Sequence, residues 1–296
     1  MANASDDLQP PPGGPGAPQA DLGQWTPVTE RTTDTVAQGP AAMLHALLDA
    51  PGPPPAAGEA LPALWHWLYF LPAVAQQQLG PDGHPRRGGF LPPVALPRRM
   101  FVGGRVHTST PLTIGERITR VGTVAGVTDK SGRSGPLVFV TVGYQLGDAV
   151  TEQQDLVYRA AAPAPSGAVA APDDAPIDEA GWTQRLDLAV DPVLLFRFSA
   201  LTYNAHRIHY DRQWATEVEG YPGLVVHGPL QAIALAELCR RHRPQPLRSF
   251  GFRALRPAFD QGPLRLRGRL LDDDQGMELA AFDVHGAVTM TATASW

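Results

Sequence analysis

The chain has 296 residues, 43% hydrophobic and 18% charged, a globular balance able to bury a sizeable core in one large domain or two of ordinary size. Its 24 Lys+Arg against 29 Asp+Glu give a formal net charge of −5, with no basic cluster of the kind a nucleic-acid reader needs. The single cysteine, Cys239, excludes an internal disulfide framework and a cysteine-rich zinc module, and suits a reducing, cytoplasmic compartment.

Residues 1–20 hold two acids, no Lys or Arg and the run PPPGGPG. The segment lacks the basic start and apolar middle of a secretory signal and reads as a disordered tail. The apolar stretch Leu61 to Ala75 is shorter than the ~20 residues that cross a bilayer. It is also broken by Pro62 and Pro72 and runs into Gln76, Gln77 and Gln78. It predicts no membrane span; Pro62 to Leu79 instead reads as a buried helix, with Trp65, Trp67, Tyr69 and Phe70 as core. Dense, β-branched runs predict strands over Arg98 to Thr108, Ile118 to Thr128 and Leu137 to Leu146. Asp129 to Gly135 is a turn between the last two. Its Gly-rich piece lacks the Lys-Ser/Thr ending of a phosphate loop.

Ala160 to Ala180 is rich in Ala and Pro, lacks apolar periodicity and reads as a linker. It separates an N-terminal unit (21–159) from a C-terminal one (181–296). In the latter, Pro229 to His242 predicts an amphipathic helix, with Leu230, Ile233, Ala234 and Leu238 on one face. Pro229 suits its first turn, and Arg240, Arg241, His242 and Arg243 complement the negative end of its dipole. Strands follow over Leu264 to Leu271, Met277 to Val284 and Ala287 to Ala294. A helix followed by antiparallel strands, twice over, is an α+β plan.

The segment Phe198 to Asp211, FSALTYNAHRIHYD, places His206 and His209 three residues apart, with Tyr203 and Asn204 before them. Leu224 to Leu238, LVVHGPLQAIALAEL, sets His227 and Gly228 at the mouth of the predicted helix. Taken alone, these residues fit local packing, a helix cap and, for Arg207, a surface ion pair. As a zinc site the His pair lacks a third ligand and any HExxH, so no metal is expected. No GxSxG is present for an α/β-hydrolase thioesterase.

The first of these segments resembles the signature of the MaoC-like, R-specific hydratases and dehydratases, with Leu201, His209 and Asp211 on matching positions. The second resembles the Val-His-Gly that opens the central helix in that family. LWHWLYFLP (Leu64 to Pro72), GHPRRGGFLPP (Gly83 to Pro93), GRSGPLVFVTV (Gly132 to Val142) and TEQQDLVYR (Thr151 to Arg159) are similar to a narrower, two-domain branch. That branch comprises hydratases of mesaconyl-C4-CoA-like and itaconyl-CoA-like thioesters and mitochondrial 3-hydroxyacyl-thioester dehydratases. The resemblance implies a double hot-dog fold, each curved antiparallel sheet wrapped around a central helix, and hydration of an α,β-unsaturated acyl-CoA.

The family's catalytic Asp falls on Asn204, its Asn on His206 and its Pro on Arg207. Asn cannot act as a base, so a variant mechanism is expected. Hydration needs a base for water, a proton for the α-carbon and a receptor for the enolate oxygen. The resemblance assigns the base to His209, water positioning to Asn204, a second proton or water contact to His206, and the oxygen receptor to the Gly228 N–H at a helix N-terminus. Tyr203, His227, Arg207, Arg86 and Arg87 are the expected substrate contacts, with a guanidinium for a CoA phosphate or a distal carboxylate. No cofactor is expected beyond the CoA of the substrate, and no nucleic-acid or membrane partner; a homodimer stays open. The competing readings are a fatty-acid 3-hydroxyacyl-thioester dehydratase and, more distantly, a hot-dog thioesterase or acyl-binding module.

Overall fold

Alternating apolar residues organise each half into antiparallel strands. A computed structural model describes residues 25–132, 135–160, 181–272 and 274–296. The tail read over 1–20 lies outside these residues, as does the linker read over 160–180 except for its first residue. The first half supplies β1 (Glu30–Thr35), β2 (Arg98–Thr108), β3 (Arg117–Gly132), β4 (Gly135–Leu146) and β5 (Val150–Arg159). The second supplies β6 (Gln184–Leu188), β7 (Ser249–Ala254), β8 (Leu264–Leu270), β9 (Gly276–Phe282) and β10 (Val288–Ser295). All ten form one sheet in the order β1-β3-β4-β5-β2-β7-β10-β9-β8-β6.

The two halves meet where β2 pairs with β7, from Gly103 opposite Arg253 to His107 opposite Ser249. Glycine is required there: a Cβ on Gly104 would lie 2.7 Å from the Gln153 carbonyl oxygen and 3.0 Å from the Phe252 ring. One residue earlier, between Phe101 and Gly103, a bulge interrupts the β2–β5 register and bends the strand beside the cleft described below.

Among the described residues there are three α-helices, α1 (Gln38–Leu47), α2 (Pro192–Leu201) and α3 (Gly228–His242); α3 packs on the sheet, and α1 and α2 pack on each other. α3 is the expected central helix; every residue from Leu230 to Cys239 is buried, and it lies against β6 to β10. Its one buried acid, Glu237, is paired by Arg240 and Arg241 at 2.7 and 2.9 Å. Arg241 also reaches the carbonyls of Leu48 and Asp49, fastening the end of α3 to the end of α1. The architecture is the α+β, double hot-dog arrangement.

The helix expected over Pro62 to Leu79 does not form. Two short 3-10 turns, Trp65–Leu68 and Gln76–Gln78, stand in its place, and the first-half helix is α1, more than twenty residues earlier. The physical reason lies in Pro72, which would fall in the helix interior, whereas a helix tolerates proline only in its first turn. Leu64 and Phe70 also take left-handed backbones, at φ 67° and 57°. Tertiary bonds hold this strained path: the Phe70 N–H donates to Asp34 Oδ2 at 2.8 Å, and the Tyr69 hydroxyl to the Ala37 carbonyl at 2.6 Å. The Trp67 indole N–H donates to Glu152 at 2.7 Å, and His66 pairs with the same carboxylate at 2.9 Å. Trp65, Tyr69 and Phe70 are core side chains, as their composition suggests, and Trp67 is partly buried against them.

Candidate active site

Four segments converge on one cleft of about 1490 Å³. This exceeds the roughly 300–1,000 Å³ of ordinary small-molecule pockets and is large enough for an elongated thioester. The segments are β2, the loop from Gly80 to Phe90, the turn from Tyr203 to His209, and the N-terminus of α3.

The turn begins where α2 stops. Asp191 caps α2 by accepting the Leu194 N–H at 2.7 Å, and Tyr203 leaves the helix with a left-handed backbone, φ 51°. Arg207–His209 then closes a 3-10 turn that presents His206 and His209 on the cleft wall. The Nδ1–H of His209 donates to the Val225 carbonyl at 2.7 Å. That bond fixes the tautomer and leaves Nε2 as an unprotonated acceptor. Burial lowers the His209 pKa to about 4, although the carbonyl bond opposes the shift, so the ring is neutral at pH 7. His227 stacks behind it with centroids 3.6 Å apart and holds Ser199 Oγ at 2.8 Å through Nε2. His206 stands edge-on to His209 at 5.4 Å. Burial drives the pKa values of His206 and His227 well below the ordinary range, with neighbouring histidines adding to the effect.

Asn204 also lines the cleft. Its Oδ1 accepts the His206 N–H at 3.1 Å, which leaves the amide NH2 as its remaining donor. Gly228 is the first residue of α3, so its N–H has no partner within the helix, and it too faces the cleft. A Cβ there would come 3.3 Å from the Phe101 ring.

The expected substrate contacts fare differently. Tyr203 lines the cleft and is exposed; Arg86 stands exposed at the rim, its guanidinium 3.5 Å from the Leu79 carbonyl. Three of the five need correction. His227 is fully buried behind His209 and does not line the cleft. Arg207 is also absent from the lining. It pairs with Asp211 at 2.7 Å, lies 4.0 Å over the Trp214 ring and donates to the Pro81 carbonyl at 3.2 Å. Arg87 lines the cleft, but its guanidinium is occupied by the carbonyls of Val94, Leu96 and Pro97.

Arg207 instead fixes the loop that carries Arg86 and Arg87. Its backbone N–H donates to the Asp82 carbonyl at 2.9 Å, beside the Pro81 contact. Gly83, at φ 88°, lies so close that a Cβ would fall 1.8 Å from the Ala205 carbonyl oxygen. This docking brings His84 against His206, centroids 3.9 Å apart. Asp82 orients His84 by accepting its backbone N–H at 3.0 Å and its Nδ1–H at 3.1 Å. Burial lowers the His84 pKa, followed by the charge of Arg99; Asp82 opposes both. For Asp82 the upward push of burial is outweighed by His84, and its carboxyl sits below the usual range. Asp82 and His84 are not among the expected site residues; they flank Gly83, just before the more conspicuous Arg86-Arg87. Their signal was a His two residues from an Asp in a Gly/Pro-bounded loop.

Asp82, His84 and His206 each bring one donor atom within 4.8 Å of the others, the donor count of a catalytic zinc site. The ligand count that argued against a metal was therefore incomplete. The chemistry of the set fits a cation poorly: Asp82 spends both oxygens on His84, and Arg99 adds positive charge to His84 and His206.

The fold is similar to that of MaoC-like dehydratases. One solved MaoC-like dehydratase superposes with a TM-score of 0.67, at 13% identity over 93% of this chain and 98% of its own. HtdX of Mycobacterium tuberculosis gives 0.62 at 15% identity over 90% and 99%. Residues 64–260 match the model of the hydroxyacyl-thioester dehydratase type 2 family, and the chain belongs to that family. It is 47% identical over 278 residues to the mesaconyl-C(4)-CoA hydratase of Chloroflexus aurantiacus, covering 93% of this chain and 97% of that one. The mitochondrial hydroxyacyl-thioester dehydratase type 2 of Schizosaccharomyces pombe is 45% identical over 78 residues, 25% of this chain and 26% of that one. This chain is accordingly an enzyme of the hydro-lyase class. Among the described residues, no helix is long and apolar enough to cross a membrane.

Proposed function

We propose that this enzyme hydrates a branched C5 dicarboxylyl-CoA, with mesaconyl-C4-CoA as the leading substrate and itaconyl-CoA second. The observation that carries the reading is the neutral, backbone-anchored His209 facing the same cleft as the α3 N-terminus, in a chain 47% identical to a mesaconyl-C(4)-CoA hydratase across nearly its full length. His209 Nε2 takes a proton from water held by the Asn204 NH2, and the hydroxyl adds to the β-carbon. The thioester oxygen gains charge and is received by the Gly228 N–H, reinforced by the helix dipole. The proton then passes from His209 to the α-carbon on the same face, closing a syn addition; His206 positions the water. The reaction needs no cofactor beyond the CoA of the substrate. The enzyme works in the cytoplasm, and size-exclusion chromatography decides between monomer and homodimer.

A fatty-acid 3-hydroxyacyl-thioester dehydratase is the second reading, favoured by the name of the matched family. A panel of mesaconyl-C4-CoA, itaconyl-CoA and crotonyl-CoA, run with and without EDTA, separates the two. Expected is loss of enoyl absorbance with CoA retained, fastest for mesaconyl-C4-CoA and indifferent to EDTA. Equal turnover of crotonyl-CoA would favour the fatty-acid reading, and release of free CoA would indicate a thioesterase.

A further inference from the structure

Seven guanidinia line the cleft, and they differ in what they already hold. Arg87 is taken by three carbonyls; Arg98 pairs with Glu219 at 3.2 Å. Arg120 donates to the Phe70 carbonyl at 3.2 Å and lies over the Tyr144 ring at 4.7 Å. Arg159 is spatially tied to Glu219, Arg256 has a partner of its own, and Arg86 is at the exposed rim. Arg99, like Arg159, is half-buried, and no hydrogen bond or ion pair joins its guanidinium to a described residue; of the two, Arg99 is the one beside the histidines. The nearby carboxylate that would neutralise it, Asp82, has both oxygens committed to His84. A half-buried guanidinium left unpaired beside two histidines is a site that lacks an anion.

Its location limits which anion. Arg99 lies opposite Tyr158 in the β2–β5 ladder, two residues before Phe101 and so on the same face of β2. Phe101 is the residue that packs on Gly228, at the enolate-receiving end of the cleft. Arg99 is also close enough to act electrostatically on His84 and on His206, which stands 5.4 Å from His209. The distant phosphates of CoA would not reach a point beside the base. In mesaconyl-C4-CoA the free carboxylate is bonded to the β-carbon, the atom that receives water. A receptor for it must therefore stand near the histidine cluster, as Arg99 does beside His84 and His206.

We infer that Arg99 is the specificity-determining residue that receives the carboxylate borne on the substrate's β-carbon. Through that contact it positions the β-carbon against the water held by His209. The inference deepens the dicarboxylyl reading and rests on it.

Binding of two saturated thioesters tests it without turnover. Succinyl-CoA and butyryl-CoA have four-carbon acyl chains that differ only in a terminal carboxylate or methyl. Calorimetry on the full-length enzyme should show succinyl-CoA bound more tightly, with Arg99→Gln lowering that preference by about ten- to hundredfold. Arg99→Lys, which keeps the charge but loses the planar fork, should fall between the two. It also serves as the test should Arg99→Gln fail to fold. Equal binding of the two thioesters by the wild type, or a preference that survives loss of the guanidinium, would overturn the inference. Turnover of mesaconyl-C4-CoA is scored separately. An Arg99-dependent succinyl preference in an enzyme that hydrates no dicarboxylyl thioester would keep the anion site and remove the substrate reading.

Discussion

The two walls of the cleft come from different halves of the chain, and their electrostatic character is opposite. The second-half wall presents the buried, neutral His206 and His209, the latter anchored by the Val225 carbonyl and backed by the stacked His227. The first-half wall carries charge: the Asp82 carboxylate that orients His84, and the Arg99 guanidinium. A proton acceptor must be neutral before it acts, and burial supplies that. An anion receptor must stay charged, which favours a partly exposed guanidinium. The contrast suggests that one half performs the proton transfer and the other selects and places the acyl group.

The sharpest way to break this division is to remove the base. His209→Ala should lower kcat by about 10²–10⁴, the usual range for a positioned acid–base group. KM should change little, because thioester binding rests on contacts elsewhere. Asn204→Ala should cost less, since it removes water positioning and leaves proton transfer in place. Steady-state kinetics on mesaconyl-C4-CoA checks both. Near-normal turnover of His209→Ala with an inactive His206→Ala would exchange their roles, and two active variants would move the chemistry off this wall.

A second prediction attacks the joint between the walls. Gly83→Ala must relieve a Cβ contact of 1.8 Å with the Ala205 carbonyl and a φ of 88°. The displaced loop would carry Asp82 and His84 away from His206. We expect a stability loss of about 1–3 kcal/mol and a fall in kcat/KM, with the strain assessed by thermal melting. Gly88→Ala is the control: it has a similar φ of 94° but only a 3.8 Å contact, so it shares the strain without the collision. If both variants lose kcat/KM equally, the docking of the loop on Ala205 is not what aligns the site.

How much of this was legible in the chain follows from where each residue lies. β2 and α3 were readable because dense β-branched residues and a clean apolar face each point to one element. Pro62 to Leu79 misled because aromatics dense enough for a core occur there with an interior proline, Pro72, that forbids the helix. α1 was hidden by the Gly39-Pro40 pair in its first turn. β5 was missed since Glu152 faces inward, buried, to satisfy His66 and Trp67, which breaks the apolar alternation. Within the site, Asn204, His206, His209 and Gly228 were visible because two short stretches carry them. Arg99, Asp82 and His84 were not, since they reach the histidines only through the β2–β7 pairing and the docking of Gly83 on Ala205. Sequence spacing records neither.

The smallest effect expected is on stability, and its pH window distinguishes the histidines from the carboxylates. The folded-state pKa values of His84, His206, His209 and His227 are all depressed, that of His209 from 6.5 to about 4. As pH falls below 6.5 the unfolded chain binds protons that the folded protein refuses, so unfolding becomes easier. The stability these neutral rings contribute is thus complete above about pH 6.5 and lost progressively as pH falls towards their folded values. Asp82 and Glu152 are depressed from 3.8 and 4.5, so their contribution is present above those values and declines only at lower pH. Urea unfolding at pH 7, 6 and 5 should therefore already show a decline, at up to about 1.4 kcal/mol per pH unit for each histidine still neutral. His209→Ala should remove one proton's share of that slope. A wild-type stability that stays level from pH 7 to 5 would mean that the histidine wall is not buried in its neutral form, and the assignment of His209 as a waiting base would fall with it.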